Sequence, residues 1–345
     1  MRPERALDGP SKELGRAALA SRRPGRSPAR PPLREEREIN LAAIDIGAGS
    51  IKLRIAAEDG PSPATVAQDR IDVRLGRNDF TRGLLDRSAM GAVVEALRRF
   101  RAVLAQHHVA RYRAIATVLR DATNGQELVD LVRKDVGLEV EIPSREHQAR
   151  LLFLGLSPEC CQDGTTALFD ADGQNLHVGV GERRRPGYVT SLPFGMNRLS
   201  LMFSSHEALD AHMVTALQEA IRGALTPTLE AVRQRGPAAL VGSGASVRTL
   251  GPLARPTASR RNSLTRIQGR ALAARLTRLP ASQKEALGLS PERAAFACVA
   301  AWLVVELMEG LGQEEMRLTE VSLRDGILAQ LVGDRSSGTL FEPAP

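Results

Sequence analysis

The stretch AAIDIGAGSIKLRI, residues 42–55, decides the fold, because a similar stretch, ALFDADGQNLHVGV, recurs at residues 167–180. Each stretch reads as a strand, an aspartate, a short turn and a second strand. The first turn keeps two glycines and a serine, whereas the second contains an aspartate and a glutamine. A segment that recurs in this form indicates two related structural units, each opening with a hairpin.

The residues around the two hairpins show the periodicities of an α/β protein. Apolar and polar residues alternate over residues 50–55 and 71–75, as in half-buried strands, so we expect three antiparallel strands to open the first unit. Apolar residues at helical spacing over residues 88–105 then predict a helix with Ser88 as its N-cap. In the second unit, strands are predicted at residues 165–170, 176–181 and 188–192.

The rest of the chain continues the alternation of strands and helices. The first unit is completed by a strand at residues 112–118, a helix ending at Gly137, a strand at residues 138–143 and a helix from Ser144. The second is completed by a long helix at residues 206–235, a strand at 238–244, helices at 270–279 and 292–311, a strand at 318–323 and a last helix from Arg324. This pattern predicts a duplicated α/β architecture with a cleft between the copies, where ligands usually bind.

Length and composition limit the domain organisation. With 345 residues, 43% of them hydrophobic and 25% charged, the chain is long enough for two domains with cores of their own. We expect these domains at residues 39–160 and 161–335, with tails at 1–38 and 336–345. The sequence has no apolar run of roughly 20 residues and no secretory signal, so we expect a cytoplasmic protein with no membrane partner. The three cysteines fit neither a disulfide framework nor a zinc site.

The N-terminal segment, residues 1–38, carries much of the positive charge. It holds 10 Lys and Arg against 6 Asp and Glu, which is +4 of the formal net charge of +7. The segment also has six prolines and no periodic apolar residues, so we expect a disordered, solvated tail. No aromatic residues alternate with its arginines, which argues against a nucleic-acid-binding arm. The remaining charge suits a small polyanionic ligand.

Three segments of the sequence are candidates for phosphate-binding loops: the turns of the two hairpins and the loop at residues 242–246. In the first turn, glycines let backbone N–H groups approach a phosphate closely and take a positive φ, and Asp45 just before them can hold Mg²⁺. The residues of that turn are Gly47, Gly49 and Ser50. The last loop, with Gly242, Ser243, Gly244 and Ser246, follows a strand and precedes a helix, where N–H groups favour an anion. Three such loops in this order are typical of the actin, sugar-kinase and Hsp70 superfamily.

Seven sequence blocks carry a closer resemblance. They are AAIDIGAGSIKLRI, IATVLRDATNGQELVDLV, EVEIPSREHQARLLFLGL, SLPFGMNRL, VGSGASVRTL, LSPERAAFACVAAWLV and VSLRDGIL. Their order and approximate spacing resemble those of the Ppx/GppA family of exopolyphosphatases and guanosine pentaphosphate phosphohydrolases, over roughly residues 40–332. Long members of that family are often dimers through a further helical C-terminal domain. We expect this chain to lack that domain, and a homodimer stays open.

The resemblance implies two ribonuclease-H-like domains, each βββαβαβα, whose cleft holds polyphosphate or guanosine penta- or tetraphosphate. It also implies Mg²⁺ at Asp45 and Asp170, and a glutamate that activates water for attack on the terminal phosphoryl group. The positions that match the family's phosphate contacts are those of the last loop together with Gly47, Gly49, Ser50, Arg120 in VLRDATN, Gly173 and Asn175.

The chain departs from the family pattern at residues to which the resemblance assigns catalysis and phosphate binding. In the family's S-G-x-E-E-A-R block the glutamate before A-R is the proposed water activator, and SREHQAR has Gln148 there and His147 beside it. Glutamine cannot take a proton. In the family's D-I-G-G-G-S-T-E loop, this chain has Asp172 for a glycine and His177 for the glutamate. A carboxylate about 4 Å from a phosphate costs ~1 kcal/mol in water, so we expect weaker phosphate binding.

Four interpretations follow. The first is a Ppx/GppA-like phosphatase that removes the terminal phosphate of polyphosphate or pppGpp, with turnover reduced or lost through Gln148. The second is a non-catalytic, regulatory protein of the same fold that binds polyphosphate or (p)ppGpp. A sugar or acetate kinase shares the three loops, but LRDATN, QARLLFLG and RDGIL count against it. Finally, His147 or His177 could replace the missing glutamate, as a base or, with Asp170 and Asp172, as a ligand of a transition metal.

Overall fold

A computed structural model describes residues 39–58, 63–73, 75, 83–161, 164–203, 207–254, 262–334 and 336–342 of the protein. The predicted tail at residues 1–38 lies outside these residues. Both sheets of the structure belong to one compact unit, Glu38–Pro345. Within the described ranges, no helix has both the length and the apolar character that crossing a bilayer requires.

Strands and helices alternate along the described chain. The first half contains β1 (Asn40–Ile46), β2 (Ser50–Ala57), β3 (Ala64–Asp72), α1 (Arg87–Gln106), β4 (Val109–Ile115), a 3-10 helix (Thr117–Asp121), α2 (Gly125–Val136), β5 (Val140–Glu141) and α3 (Arg145–Leu154). After a second 3-10 helix (Pro158–Cys161), the second half contains β6 (Thr166–Ala171), β7 (Leu176–Glu182), β8 (Arg185–Leu192), α4 (Met196–Met202), α5 (Ala211–Arg233), β9 (Ala239–Ser243), α6 (Ala245–Ala254), β10 (Ser263–Thr265), α7 (Arg266–Thr277), α8 (Ala281–Glu285), α9 (Pro291–Gly310), β11 (Glu315–Leu318), α10 (Leu323–Gly333) and β12 (Thr339–Leu340).

The two sheets repeat one topology. In the first sheet the strand order is β12-β4-β1-β2-β3, with β5 also paired to β4. In the second sheet the order is β10-β11-β9-β6-β7-β8. Each sheet starts with three antiparallel, hairpin-linked strands, and the next strands are added parallel to the first one. The predicted α/β fold with a duplicated βββαβαβα unit is therefore confirmed, and β10 with α7–α9 is an insertion in the second copy. The domain boundary at residue 160 stays a prediction.

Helix α1 shows how the apolar spacing translates into packing. The apolar positions that predicted this helix are buried against the first sheet: Met90, Val93, Val94, Leu97, Phe100 and Leu104. Its predicted N-cap was wrong, because the Asp86 carboxylate, not the Ser88 hydroxyl, accepts the hydrogen bond from the N–H of Ala89. Both residue types are good caps, and the helix begins at the earlier one. The predicted end of α2 at Gly137 and start of α3 at Ser144 are confirmed.

Two later elements differ from the sequence prediction. The strand predicted at residues 318–323 is wrong, because β11 ends at Leu318 and Ser322 instead caps α10 in a reciprocal capping box with Asp325. The long helix predicted at residues 206–235 is α5, which spans only Ala211–Arg233, and the short helix α4 before it was not predicted. Helix α5 begins after Asp210, whose side chain accepts from the N–H of Met213, and it continues through Pro227.

The helices that end the two units cross between the sheets. Helix α3 packs against β7 and β8 of the second sheet, while α10 packs against β1 of the first. The two helices touch at glycines: a Cβ on Gly326 would lie 1.8 Å from the carbonyl oxygen of Leu151, and a Cβ on Gly155 would lie 2.7 Å from the N atom of Gly326. This crossing places the first turn of α3 beside the turns of both hairpins, where the candidate site lies.

Candidate functional site

A cleft of about 290 Å³ lies between the two halves of the protein. Its lining comes from the first hairpin turn (Ala48), the 3-10 helix after β4 (Thr117, Val118, Arg120), α3 (Gln148), the second hairpin turn (Asp172, Gly173, Gln174, Asn175) and α4 (Asn197). The two related turns therefore face one groove, as the repeat in the sequence predicts. Of the predicted site residues, Arg120, Gln148, Gly173 and Asn175 line this cleft directly.

The first hairpin turn is tight and leaves its tip exposed. The N–H of Gly47 donates to the carbonyl of Ser50 at 3.1 Å, which closes the turn between β1 and β2. The expected positive φ was wrong, since neither Gly47 nor Gly49 is among the glycines with positive φ. A Cβ on Gly49 would meet nothing within 4 Å, so a ligand has room to approach the backbone there. Ser50 is buried at the start of β2.

Asp45 and Asp170 occupy equivalent positions near the ends of β1 and β6. Burial raises the pKa of the Asp45 carboxyl, and the positive charges of Lys52 and Arg324 oppose that rise. Burial likewise raises the pKa of Asp170, opposed by His177 and by a hydrogen bond from Ser243. Each carboxylate thus lies in a poorly hydrated place where a cation is favourable.

These carboxylates fit Mg²⁺ on the chemistry of their oxygen donors. Among the described residues, no group of three or more His, Cys, Asp and Glu side chains is placed to hold a metal ion. Mg²⁺, however, is usually bound by one or two carboxylates together with substrate phosphates and water. The oxygen donors of Asp45 and Asp170 thus suit a magnesium ion that a phosphate chain helps to bind rather than an ion enclosed by protein ligands alone, although neither carboxylate is part of the lining of the cleft.

The second hairpin turn binds its own carboxylate. One oxygen of Asp172 accepts hydrogen bonds from the N–H groups of Gln174, at 2.7 Å, and Asn175, at 2.5 Å. Burial raises the pKa of Asp172, but hydrogen bonds from His177 and from these N–H groups outweigh it and hold the pKa below its usual value. The backbone donors that would face a phosphate in a glycine-rich turn are thus already occupied by an internal anion.

His177 is buried between two polar partners. Its side chain is 1% exposed, its Nε2 lies 3.3 Å from the second carboxylate oxygen of Asp172, and its Nδ1 lies 2.9 Å from the hydroxyl of Ser191. A neutral imidazole with Nε2–H donating and Nδ1 accepting satisfies both contacts. Both ring nitrogens are therefore engaged, so a metal or a substrate proton would first have to displace one of these partners.

Arg120 and Gln148 form the polar centre of the cleft. The guanidinium of Arg120 donates to the side-chain oxygen of Gln148 at 3.0 Å and to the carbonyl of Pro143 at 2.8 Å. Burial, followed by the nearby charge of Arg145, lowers the pKa of Arg120. Gln148 is buried, on the face of α3 that closes the cleft. A neutral amide therefore occupies the position where the sequence resemblance implies a carboxylate.

His147 faces another part of the structure. Its Nε2 lies 3.3 Å from the guanidinium of Arg113, which is itself paired with Glu141 on β5. Burial lowers the pKa of His147, and the charge of Arg113 lowers it further. Of the adjacent pair, Gln148 lines the cleft and His147 is absent from its lining.

The last small-residue loop divides into a packed part and an open part. Gly242 and Ser243 belong to β9 and are buried, and a Cβ on Gly242 would lie 2.5 Å from the sulfur of Met316. Gly244 has a φ of 97° and lies against the carbonyl of Ala171, where a side chain would clash. Gly244 and Ser246 line a second cavity, of about 270 Å³, which shares Asp172 and Gly173 with the cleft.

Arg145 is a charged residue of this site that the sequence predictions did not include. It is the first residue of α3, and its guanidinium donates to the side-chain oxygen of Asn175 at 3.1 Å and to Asp121 at 2.7 Å. The signal was in the sequence, because the family pattern S-G-x-E-E-A-R has a glycine where SREHQAR has this arginine.

Comparison with known proteins agrees with this geometry. The model of the Ppx/GppA phosphatase family matches residues 54–334, most of the chain. The chain belongs to this family. It is similar to Exopolyphosphatase 1 of Mycobacterium tuberculosis, with 24% identity over 87% of this chain and 90% of that protein. It is also similar to the guanosine-5'-triphosphate,3'-diphosphate pyrophosphatase of Aeromonas hydrophila, with 27% identity over 85% of this chain and 59% of that protein.

The fold is that of Ppx/GppA crystal structures. The structure of the Aquifex aeolicus member of the family superposes with a TM-score of 0.77 at 22% identity, covering 87% of this chain and 99% of that one. The predicted family and the predicted two-unit fold are thus confirmed.

Proposed function

We propose that this protein binds the phosphate chain of polyphosphate or pppGpp in the cleft and hydrolyses its terminal phosphoanhydride slowly, because Gln148 stands where a water-activating glutamate is expected. The observation that carries the proposal is the hydrogen bond between Arg120 and the side-chain oxygen of Gln148 inside the cleft. Arg120 lines the cleft, which suits the proposed contact with phosphate, and the neutral amide of Gln148 beside it cannot act as a general base.

The requirements of phosphoanhydride hydrolysis indicate which parts of the reaction the cleft can support. Hydrolysis of a phosphoanhydride depends mostly on positioning the chain and neutralising the charge that develops on the transferred phosphoryl group. Arg120 and the exposed turn at Ala48 supply positioning, and Asp45 and Asp170 are the residues that would hold Mg²⁺, which would neutralise phosphate charge. Loss of a general base alone typically lowers the rate by about 10²–10⁴-fold, so slow turnover is compatible with this cleft.

A second candidate function is binding without turnover, which one observation favours. The Asp172 carboxylate takes the N–H groups of the second hairpin turn, so the two donors that would grip the terminal phosphate are used within the protein. A protein of this kind would bind polyphosphate or (p)ppGpp without hydrolysing it and would act as a regulatory protein. The two candidates share the ligand and differ in the rate of phosphate release.

The test compares phosphate release by the wild type and by Gln148→Glu, with long-chain polyphosphate and with pppGpp, in the presence of Mg²⁺. We expect the substitution to raise turnover by about 10²–10⁴-fold, since it restores a proton acceptor next to Arg120. The control is Gln283→Glu, which makes the same change on the exposed surface of α8 and should leave the rate unchanged.

Three outcomes are informative. A large increase with Gln148→Glu supports a phosphatase whose base alone is missing. No increase, with ligand binding retained in calorimetry, supports the binding protein. If neither variant binds polyphosphate or pppGpp, both candidate functions are wrong.

A further inference from the structure

Arg145 joins two elements that line opposite sides of the cleft. Its Nη2 donates to Asp121, the last residue of the 3-10 helix in the first half, and its Nε donates to Asn175 in the second hairpin turn. The side chain is 34% exposed, and that of Asp121 is 38% exposed. The guanidinium is therefore held at the edge of the cleft by an accessible ion pair with Asp121, which is weak, and by a hydrogen bond to the buried side chain of Asn175.

A second guanidinium lies close to this one. The charge of Arg145 is, after burial, the largest cause of the lowered pKa of Arg120. Arg120 and Asn175 both line the cleft, so one of the two arginines is in its wall and the other is bonded to its wall. Two like charges in a partly desolvated place repel each other, and an anion bound between them relieves the repulsion.

The second hairpin turn cannot supply the positive potential that a phosphate chain needs. Its N–H groups at Gln174 and Asn175 donate to Asp172, whose carboxylate adds negative charge to the cleft. A further cationic group beside Arg120 would therefore favour the binding of a polyanion in the cleft. Arg145 supplies one at the position where the family pattern has a glycine, and its planar fork can bind two phosphate oxygens at once.

We propose that Arg145 is a further phosphate-binding residue of this protein, which exchanges Asp121 and Asn175 for phosphate oxygens when a phosphate chain enters the cleft. This inference rests on the proposed binding of a phosphate chain. It adds Arg145 as a residue that binds the chain and an acidic partner of Arg145 as a competitor. Asp121 competes with the ligand for the guanidinium. In this proposal the phosphate chain is bound by a pair of arginines, Arg120 and Arg145, and not by the N–H groups of the second hairpin turn.

Because Asp121 competes with the ligand for Arg145, substitutions of these two residues should change the affinity in opposite directions. Binding of long-chain polyphosphate and of tripolyphosphate is measured by calorimetry at several KCl concentrations, for the wild type, Arg145→Gln and Asp121→Asn. We expect Arg145→Gln to weaken binding about 10-fold, as for loss of a charge-assisted hydrogen bond. The slope of log Kd against log salt should also fall, by roughly one-half to one unit, as expected for one lost phosphate contact. Asp121→Asn should instead tighten binding several-fold, because it removes the competitor.

Two further variants keep the test decisive. Arg133→Gln removes an arginine that pairs with Asp130 and Glu139 on the outer surface, and it should leave binding unchanged. Arg145→Lys keeps the charge but loses the fork, and intermediate affinity is expected. It also replaces Arg145→Gln if that variant does not fold, as judged by its thermal melt.

The outcomes separate this inference from the proposed function. If Arg145→Gln and Asp121→Asn weaken binding equally, Arg145 is only a structural link and the inference is wrong. Binding that is unchanged in both variants also overturns the inference but leaves the proposed function intact. If the wild type binds neither form of polyphosphate, the inference falls together with the proposed binding of polyphosphate.

Discussion

The guanidinium of Arg120 and the side-chain oxygen of Gln148 lie 3.0 Å apart in a hydrogen bond at the centre of the cleft. One residue comes from the 3-10 helix after β4 and the other from the first turn of α3. The pair places a permanent cation beside a group that cannot take a proton. We therefore expect substitutions at these two positions to separate the proposed binding from the proposed turnover.

Substitution of Arg120 should weaken ligand binding with little loss of stability. Arg120→Gln deletes the cation that lines the cleft, and we expect affinity for tripolyphosphate to fall about 10–100-fold, as for loss of a hydrogen bond to a charged group. Calorimetry measures the affinity, and a thermal melt should show only a small shift. Arg98→Gln, on the exposed side of α1, is the control. Equal affinities for both variants would place the ligand elsewhere.

Substitution of Asp172 should allow added phosphate to take the place of the Asp172 carboxylate at the N–H groups of the second hairpin turn. Asp172→Gly leaves the N–H groups of Gln174 and Asn175 without their acceptor, and we expect the free energy of unfolding to fall by about 1–3 kcal/mol. Inorganic phosphate can then occupy the vacated donors, so its addition should raise the melting temperature more in this variant than in the wild type. Asp172→Asn, which keeps an acceptor oxygen, should lose less stability. A variant that phosphate does not stabilise would show that this turn no longer binds anions.

The crossing of α3 and α10 should tolerate no side chain. Gly326→Ala puts a Cβ 1.8 Å from the carbonyl oxygen of Leu151, which requires the helices to move apart. We expect the free energy of unfolding to fall by about 3 kcal/mol or more, measured by denaturant titration. Gly333→Ala, at the end of the same helix where a Cβ would meet nothing within 4 Å, should be neutral or slightly stabilising. Similar behaviour of the two variants would contradict the close approach.

His147 should contribute to the pH dependence of stability. Burial and the charge of Arg113 lower its pKa in the folded protein below the ordinary value of 6.5. As the pH falls below about 6.5, the unfolded chain takes up a proton at this residue and the folded protein does not, so stability falls with pH. His147→Gln should flatten the stability curve between the ordinary pKa and the lowered one. An unchanged slope in urea titrations across that range would show that His147 is not the group responsible.

The fold could be predicted because its signals are local and repeated. Alternation over residues 50–55 and helical spacing over residues 88–105 both reflect which face of an element is buried, and the second hairpin repeats the first. Boundaries were less certain where the sequence offers two solutions. Asp86 and Ser88 can both cap α1, and the strand predicted at residues 318–323 spans both the end of β11 and Ser322, which starts a helix.

The interior of the cleft could be predicted only in part. The family pattern indicated that Gln148 and Arg120 belong to one site, and the structure brings them together. The direction of the Asp172 side chain could not be predicted, because nothing in the spacing shows that it turns back onto the N–H groups of its own turn. Arg145 meets partners 24 and 30 residues away in the chain, Asp121 and Asn175, and such meetings depend on how the two halves pack.

The most direct measurement of the central claim is a crystal structure of the wild-type protein with tripolyphosphate and Mg²⁺. The account predicts phosphate density in the cleft, between the turn at Ala48 and the turn at Asn175, with Arg120 in contact with a phosphate oxygen. Tripolyphosphate bound at another surface, or a cleft that stays free of phosphate at saturating concentration, would contradict it.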